Sequence, residues 1–448
     1  MSQLIYNAQI VNENEQFRGY VVIKDKFIEE VGVGNPTPEL ISRCSKSMDA
    51  NGFMLLPGAI DDQVHFRDPG LTHKADIATE SAAAVAGGVT SFMDMPNTIP
   101  QTTTTEALED KKRHASEVSL ANYGFYLGAT NTNLNILLKA DYGEICGVKL
   151  FLGASTGNML VDNKEALKNI FSEVPTLIAI HSESEEIIKR NKIFYQNKFG
   201  SDLPIFFHPL IRSEEACYAC TANAVELAEK YGTQLHILHL STAKELSFLS
   251  NDKPLVEKKI TGEVCVHHLW FTDNDYAALG NKIKWNPAIK TFADRAALRE
   301  ALNDNRLDIV ATDHAPHLLS EKMGNCFEAA SGGPLIQFSL IAMLEMARKG
   351  IFSIEKVVDK MCHAPAILYK IDRRGYLRKG YYADMVLVNH NAENKVVSEN
   401  ILSRCKWSPF EGYRFHSKII ATFVNGNLVY ENGSLDTHFK GLPLKFLR

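Results

Sequence analysis

Six side chains with chemical potential sit at the ends of apolar runs or inside them: His65, Asn97, Lys149, His181, His239 and Asp313. Three imidazoles and a carboxylate make a donor set for a divalent ion such as Zn2+, because neutral imidazole nitrogen and carboxylate oxygen both ligate it. A lone histidine on a strand is more often a satisfied core residue. Recurrence at successive strand ends turns the reading toward a metal centre. Lys149 lies in GVKLFLG, flanked by Val148, Leu150 and Phe151. An ammonium there costs several kcal/mol in lost hydration. Burial depresses a lysine pKa, and a neutral amine reacts with CO2 to give a carbamate, a carboxylate able to bridge two metal ions. The plainer alternative is an ion pair between Lys149 and Asp313.

The stretch LPGAIDDQVHFRDPG, residues 56–70, carries the densest group. Read as a strand, its alternation sets Gln63, His65 and Arg67 on one face. His65 suits a metal, and Arg67 suits an anionic substrate group.

Such residues need a scaffold that gathers strand ends. Eight apolar, β-branched runs fall at 58–66, 88–96, 121–128, 147–153, 176–183, 234–241, 260–269 and 307–316, with amphipathic helical patterns between them. Eight strand–helix units predict an α/β fold, a (β/α)8 TIM-type barrel over residues 56–370, with its chemistry at the carboxyl ends of the strands. A doubly wound open sheet would need GxGxxG after the first strand, and that motif is absent. Residues 1–55 and 371–448 read as short alternating strands, with a hairpin turn at Asn425–Gly426. They predict a small β-sandwich domain built from both termini. The 190–212 segment reads as an ordered loop or short helices over the barrel rim. Gly153–Asn158, after the fourth run, is a candidate cover for the pocket, while His73 and Lys74 read as a cap on the loop after the first.

Bulk properties exclude several classes. A net charge of -5 and the lack of a basic run argue against nucleic acid. No apolar stretch approaches the roughly 20 residues of a membrane span, and no basic-then-apolar leader opens the chain, so the cytoplasm is the expected location. The eight cysteines are scattered, and Cys217 and Cys220 sit in a helical pattern as inert thiols. His267 and His268, in VHHL, read as buried structural residues.

Taken in order, Asp61, His65, Arg67, Pro69 and Gly70, then MPNT (95–98), GVKL (147–150), HSE (181–183), HLSTAK (239–244), Asn286–Pro287 and TDHAPH (312–317) resemble the amidohydrolase superfamily, and within it dihydroorotase. The likeness spans essentially the whole chain. It implies a zinc enzyme interconverting dihydroorotate and N-carbamoyl-L-aspartate in pyrimidine biosynthesis. It further implies that His65 and Asp313 serve one metal, His181 and His239 the other, and carbamylated Lys149 bridges them. Arg67, Asn97 and His317 would hold the substrate carboxylate, Asn286 would contact the ring, and Asp313 would shuttle the proton. The expected partners are the small-molecule substrate, a second copy in a homodimer, and aspartate transcarbamoylase. Allantoinases and hydantoinases share the metal cluster, but Arg67 favours a substrate bearing a carboxylate. One departure stands out. The usual His-x-His has Gln63 in its first position, and a neutral amide oxygen is a poorer zinc ligand than imidazole. Either the first metal position is weak or empty, or the protein is a non-catalytic homologue that binds aspartate transcarbamoylase.

Overall fold

The computed structural model describes residues 2–153 and 159–448. Most of the Gly153–Asn158 segment therefore lies outside the described residues. Eight parallel strands form the central ring: β1 (Ala59–Val64), β2 (Val89–Asp94), β3 (Asn122–Phe125, resumed at Leu127–Gly128), β4 (Val148–Phe151), β5 (Ile178–His181), β6 (Leu235–Ile237), β7 (Ile260–Cys265) and β8 (Ile309–Ala311). They are buried along nearly their whole length, which is why they read as continuous apolar runs. Each pairs in parallel with the next, and β3 changes partner at Tyr126, from β2 on one side to β4 on the other. A parallel bridge from Val64 to His314, with the His65 N–H donating to the His314 carbonyl at 2.7 Å, brings the end of β8 against β1 and closes the barrel. Thr312 secures the same seam, donating its N–H and hydroxyl to the Asp61 carboxylate at 3.2 and 2.6 Å.

The helices start where local chemistry allows. α1 (Ile77–Ala86) is capped by Asp76, whose carboxylate accepts the Thr79 N–H at 2.7 Å, and its alanines let it lie close against the barrel. The structure decides between the loop and the short helices expected over 190–212, and it corrects the extent of the seventh strand. Much of the 190–212 segment is helix, α2 (Glu185–Phe199), capped by Ser184, with Glu185 and Glu186 in its first turn and Gly200 ending it at φ 89°. The seventh strand stops at Cys265, and Val266–Trp270 is a short buried helix that carries His267 and His268. All eight cysteines are free, and burial pushes the Cys220 thiol up to about 12. Among the described residues no helix is long and apolar enough to cross a membrane.

The small β domain, expected as a sandwich, is built on one continuous nine-stranded sheet. Met54–Pro57 lies at its centre, parallel to Ser2–Asn12 and antiparallel to Met385–Asn389. Alternation divides its side chains. Leu55, Met385, Leu387 and Phe423 join Ile5, Ile10, Val21 and Ile23 in a separate apolar core, while Met54, Leu56, Val386 and Val388 join the barrel's core. A buried polar network fastens the sheet to the barrel. Asp384 pairs with Arg374, accepts the Asn425 N–H at 2.7 Å and receives the Asn122 amide at 3.3 Å. Truncating one partner strands a buried charge, so Asp384→Ala is expected to lower the unfolding free energy by about 3–5 kcal/mol, measured by denaturant titration.

Candidate active site

The carboxyl ends of the strands open into a cavity of about 440 Å3. All nine residues singled out from the sequence line it: His65, Arg67, Asn97, Lys149, His181, His239, Asn286, Asp313 and His317. Gln63 lines it as well. Three of these residues have left-handed backbones, Arg67 at φ 66°, His239 at 41° and Asp313 at 46°. Non-glycine residues occupy that region at a cost of roughly 1–3 kcal/mol, which the surrounding packing must over-determine.

His181, at the end of β5, turns Nδ1 toward His239 Nε2 at 3.0 Å. Its other nitrogen, Nε2, lies 3.0 Å from the Glu183 carboxylate, which also pairs with Arg212. Burial would raise the Glu183 pKa, but Arg212 and the His181 contact outweigh it and hold the carboxyl at about 2. A proton on His181 Nε2 facing this carboxylate leaves Nδ1 with its lone pair toward His239. Two nitrogens on a tetrahedral ion at 2.0–2.1 Å stand about 3.3 Å apart, close to the spacing found here. Lys149, on β4, is buried with Nζ 4.5 Å from the Phe151 ring centroid, and among the described residues Nζ has no hydrogen-bond partner and no ion pair with Asp313. Burial, against the pull of Glu263 and Asp313, lowers its pKa to about 7. An amine that is partly neutral at pH 7, in one cavity with two facing imidazole nitrogens, suits carbamate formation, and these three residues fit a divalent ion.

The other half differs. His65 Nε2 lies 3.1 Å from Asp313 Oδ1, and its Nδ1 lies 2.8 Å from Asn97 Oδ1. Gln63 Nε2 donates to the same Asp313 oxygen at 3.4 Å, while Gln63 Oε1 accepts the Cys265 thiol at 3.8 Å. The carbonyl oxygen, the amide's only metal-binding atom, is thus engaged elsewhere, and a second ion fits poorly there.

A cationic corner faces the metal-type ligands. Arg67 Nε donates to the Pro316 carbonyl at 3.1 Å, and its Nη2 lies 3.0 Å from His317 Nε2. His317 is pushed far below the ordinary histidine range by burial and then by Arg67, Lys74 and Lys322, so its ring is neutral. The Lys74 ammonium donates to His317 Nδ1 at 3.2 Å, leaving the proton on Nε2, which donates to the Ser331 carbonyl at 3.0 Å. Among the described residues no carboxylate ion-pairs with Arg67. Its guanidinium is therefore available to an anion. Gly332 closes this corner at φ 122°, where a Cβ would stand 2.5 Å from the Ala315 carbonyl.

Sequence reasoning missed several contributors. Lys74 lines the cavity rather than merely capping its loop. Lys322 is buried and donates to the carbonyls of Lys284, Ala330 and Gly332 at 3.2, 2.7 and 2.7 Å, shaping the loop beside His317. Neither lysine carries a local signal. Glu183 was legible only as a neighbour of His181. Below the cavity Asp62 and Glu263 each approach His236 Nε2 at 3.4 Å. Burial would lower His236, but these carboxylates lift it to about 9. Glu263 also accepts the His239 N–H at 3.0 Å, anchoring its left-handed turn. His267 and His268 stay outside the cavity, His267 stacked on Trp285 at 4.5 Å and His268 bonded to the Pro287 carbonyl at 3.1 Å.

Glu183→Gln should weaken metal retention about 10–100-fold, as loss of a carboxylate orienting a metal-binding imidazole does, and equilibrium dialysis reads it. The pH dependence has a definite sign. A carboxyl held at about 2 rather than 4.5 contributes stability that is complete above about 4.5 and disappears as pH falls toward 2. The contribution amounts to roughly 3 kcal/mol.

Residues 54–429 match the model of the amidohydrolase family. A dihydroorotase of Halobacterium salinarum is 34% identical over 394 residues, covering 87% of this chain and 89% of its own. One from Lactobacillus johnsonii is 29% identical over 448 residues, covering 97% and 100%. Among solved structures, the L-hydantoinase (dihydropyrimidinase) of Arthrobacter aurescens superposes with a TM-score of 0.92 at 24% identity, covering 99% of both chains.

Proposed function

This chain belongs to the amidohydrolase family and is a cyclic amide hydrolase, and we propose that it interconverts dihydroorotate and N-carbamoyl-L-aspartate. One observation carries the reading. A single cavity presents a metal-type donor set on one wall and an unpaired guanidinium on the other. A ring bearing a carboxylate spans such a site, whereas allantoin and simple hydantoins have no carboxylate to offer Arg67.

His181, His239 and Lys149, the last as its carbamate, would hold a divalent ion, with zinc the proposed metal. When bound, the ion supplies Lewis acidity that polarises the scissile carbonyl and makes the attacking water more acidic. Arg67 binds the substrate carboxylate through its open N–H groups. His317, in contact with both Arg67 and Lys74, and Asn97 complete the grip. Asn286, whose Oδ1 is buried without a partner, accepts a ring N–H. With the carboxylate fixed, the ring amide is oriented for attack. Asp313 removes a proton from water as the C–O bond forms and returns it to the ring nitrogen as the C–N bond breaks. Closure of carbamoyl-aspartate runs through the same groups in reverse.

Purified protein supplied with Zn2+ and bicarbonate should open dihydroorotate and close N-carbamoyl-L-aspartate, followed by ultraviolet absorbance, and should act poorly on allantoin and hydantoin. Turnover of hydantoin without dihydroorotate would reassign the substrate. No turnover at all, with retained binding to aspartate transcarbamoylase, would make the chain a non-catalytic partner.

A further inference from the structure

The two halves of the donor set are unequal in a way that bears on how many ions they hold. We infer that the centre binds a single divalent ion, on His181, His239 and Lys149, and that Gln63 has turned His65 and Asp313 into a hydrogen-bonded pair that handles protons. The inference rests on the cyclic-amidohydrolase reading of this same cavity. On the complete side, two imidazole nitrogens face one another at 3.0 Å in the cavity that also holds a buried amine without a hydrogen-bond partner among the described residues. On the other side, Asp313 Oδ1 is already held from two directions, by the Gln63 amide at 3.4 Å and by His65 Nε2 at 3.1 Å. An amide nitrogen has no lone pair to give a metal. The Gln63 oxygen, which does, accepts the Cys265 thiol at 3.8 Å, on a side chain that is 1% exposed.

His65 points the same way. Both of its ring nitrogens face oxygens, Asn97 Oδ1 at 2.8 Å and Asp313 Oδ1 at 3.1 Å. A neutral ring there donates from Nε2 to the Asp313 carboxylate, which leaves that nitrogen no lone pair for an ion. A metal placed there would have to displace the Gln63 amide from Asp313 and would gain at most a weak neutral oxygen in its place. Freed from coordination, Asp313 takes the proton released as water attacks and delivers it to the nitrogen that leaves the ring, with His65 orienting the carboxylate. The proton lost by water is the proton gained by nitrogen, so no other reactant is required.

The test is metal stoichiometry, which does not depend on turnover. The full-length chain is stripped with a chelator, reloaded with Zn2+ in bicarbonate buffer and desalted, and zinc per chain is measured by mass spectrometry. Crystals of the same sample give the ion positions from anomalous scattering at the zinc edge. The wild type and His65→Ala are expected to carry one zinc each, and Gln63→His to carry two. The wild-type anomalous map, which needs no variant to fold, should have one peak, between His181 and His239. Two zincs in the wild type, loss of zinc in a His65→Ala protein that still unfolds cooperatively, or a Gln63→His protein that stays at one would each overturn the inference. Absence of cyclic amide turnover in a protein carrying one zinc would instead overturn the functional reading and leave the stoichiometry standing.

Discussion

Lys149→Ala is expected to lower kcat by roughly a thousandfold, because the metal-derived stabilisation of the transition state is worth several kcal/mol and each 1.36 kcal/mol is a factor of ten. The β4 side chain lines the cavity, where burial lowers its pKa to about 7 and, among the described residues, no group accepts or donates a hydrogen bond to its amine. A buried lysine with neither an ion pair nor a hydrogen bond destabilises the fold unless it is converted to something else. Alanine removes the only group on that strand able to become an anionic ligand. Bound zinc should therefore fall together with kcat, while the cooperative unfolding transition should be retained. A small carboxylate such as acetate, added at high concentration, should restore part of the activity by occupying the vacated position. If zinc content and rate survive the substitution, carbamate chemistry is not in use.

Arg67→Ala is expected to reduce kcat/KM for dihydroorotate on the order of a hundredfold, with most of the loss in KM. A hydrogen bond to a charged group is worth about 1.5–3 kcal/mol, and a guanidinium can make two to one carboxylate. Burial lowers the Arg67 pKa to about 10, so the side chain stays cationic at neutral pH and its charge is poorly solvated before substrate arrives. The substrate carboxylate replaces that missing solvation. Lysine at this position restores charge but not the fork and should recover only part of the loss. The measurement is steady-state kinetics on dihydroorotate beside a ring substrate lacking the carboxylate, for which Arg67→Ala should change little. An equal loss on both would show that Arg67 supports the loop and not the substrate.

Much of the barrel was legible because parallel strands buried on both faces leave a strong mark, and each of the eight ring strands falls inside one of the apolar runs. The chemical residues were legible for a related reason. A polar group inside an apolar run, such as Lys149, or ending one, such as His181, conflicts with burial, and that conflict marks a site. Two elements were not. Val266–Trp270 is apolar and buried, and a short run with no exposed face cannot disclose whether its period is two or 3.6. The helix Glu185–Phe199 carried its start signal in Ser184 followed by Glu185 and Glu186, while the aromatic-rich stretch after it is compatible with a loop or with short helices. Long-range partners were beyond reach altogether. Lys74 meets His317 across 243 positions, and Gln63 meets Asp313 across 250. No local pattern encodes either encounter. His314 illustrates the opposite hazard, since it sits in the TDHAPH run yet spends both nitrogens on structure, bonding Glu80 at 2.8 Å and accepting the Leu335 N–H at 2.9 Å.

The central position of Met54–Pro57 in the nine-stranded sheet has a consequence for biogenesis. One of its edges is satisfied early, by Ser2–Asn12, but the other waits for Met385–Asn389, more than three hundred residues downstream. At a ribosomal pace of roughly 5–20 residues per second, the half-built sheet stays open for on the order of tens of seconds in every nascent chain. During that interval a row of unpaired peptide groups beside apolar side chains is exposed to other polypeptides. Synthesis of this protein is thus a race between translation and aggregation, and slow elongation, rather than weak final stability, is the condition under which its yield should fail.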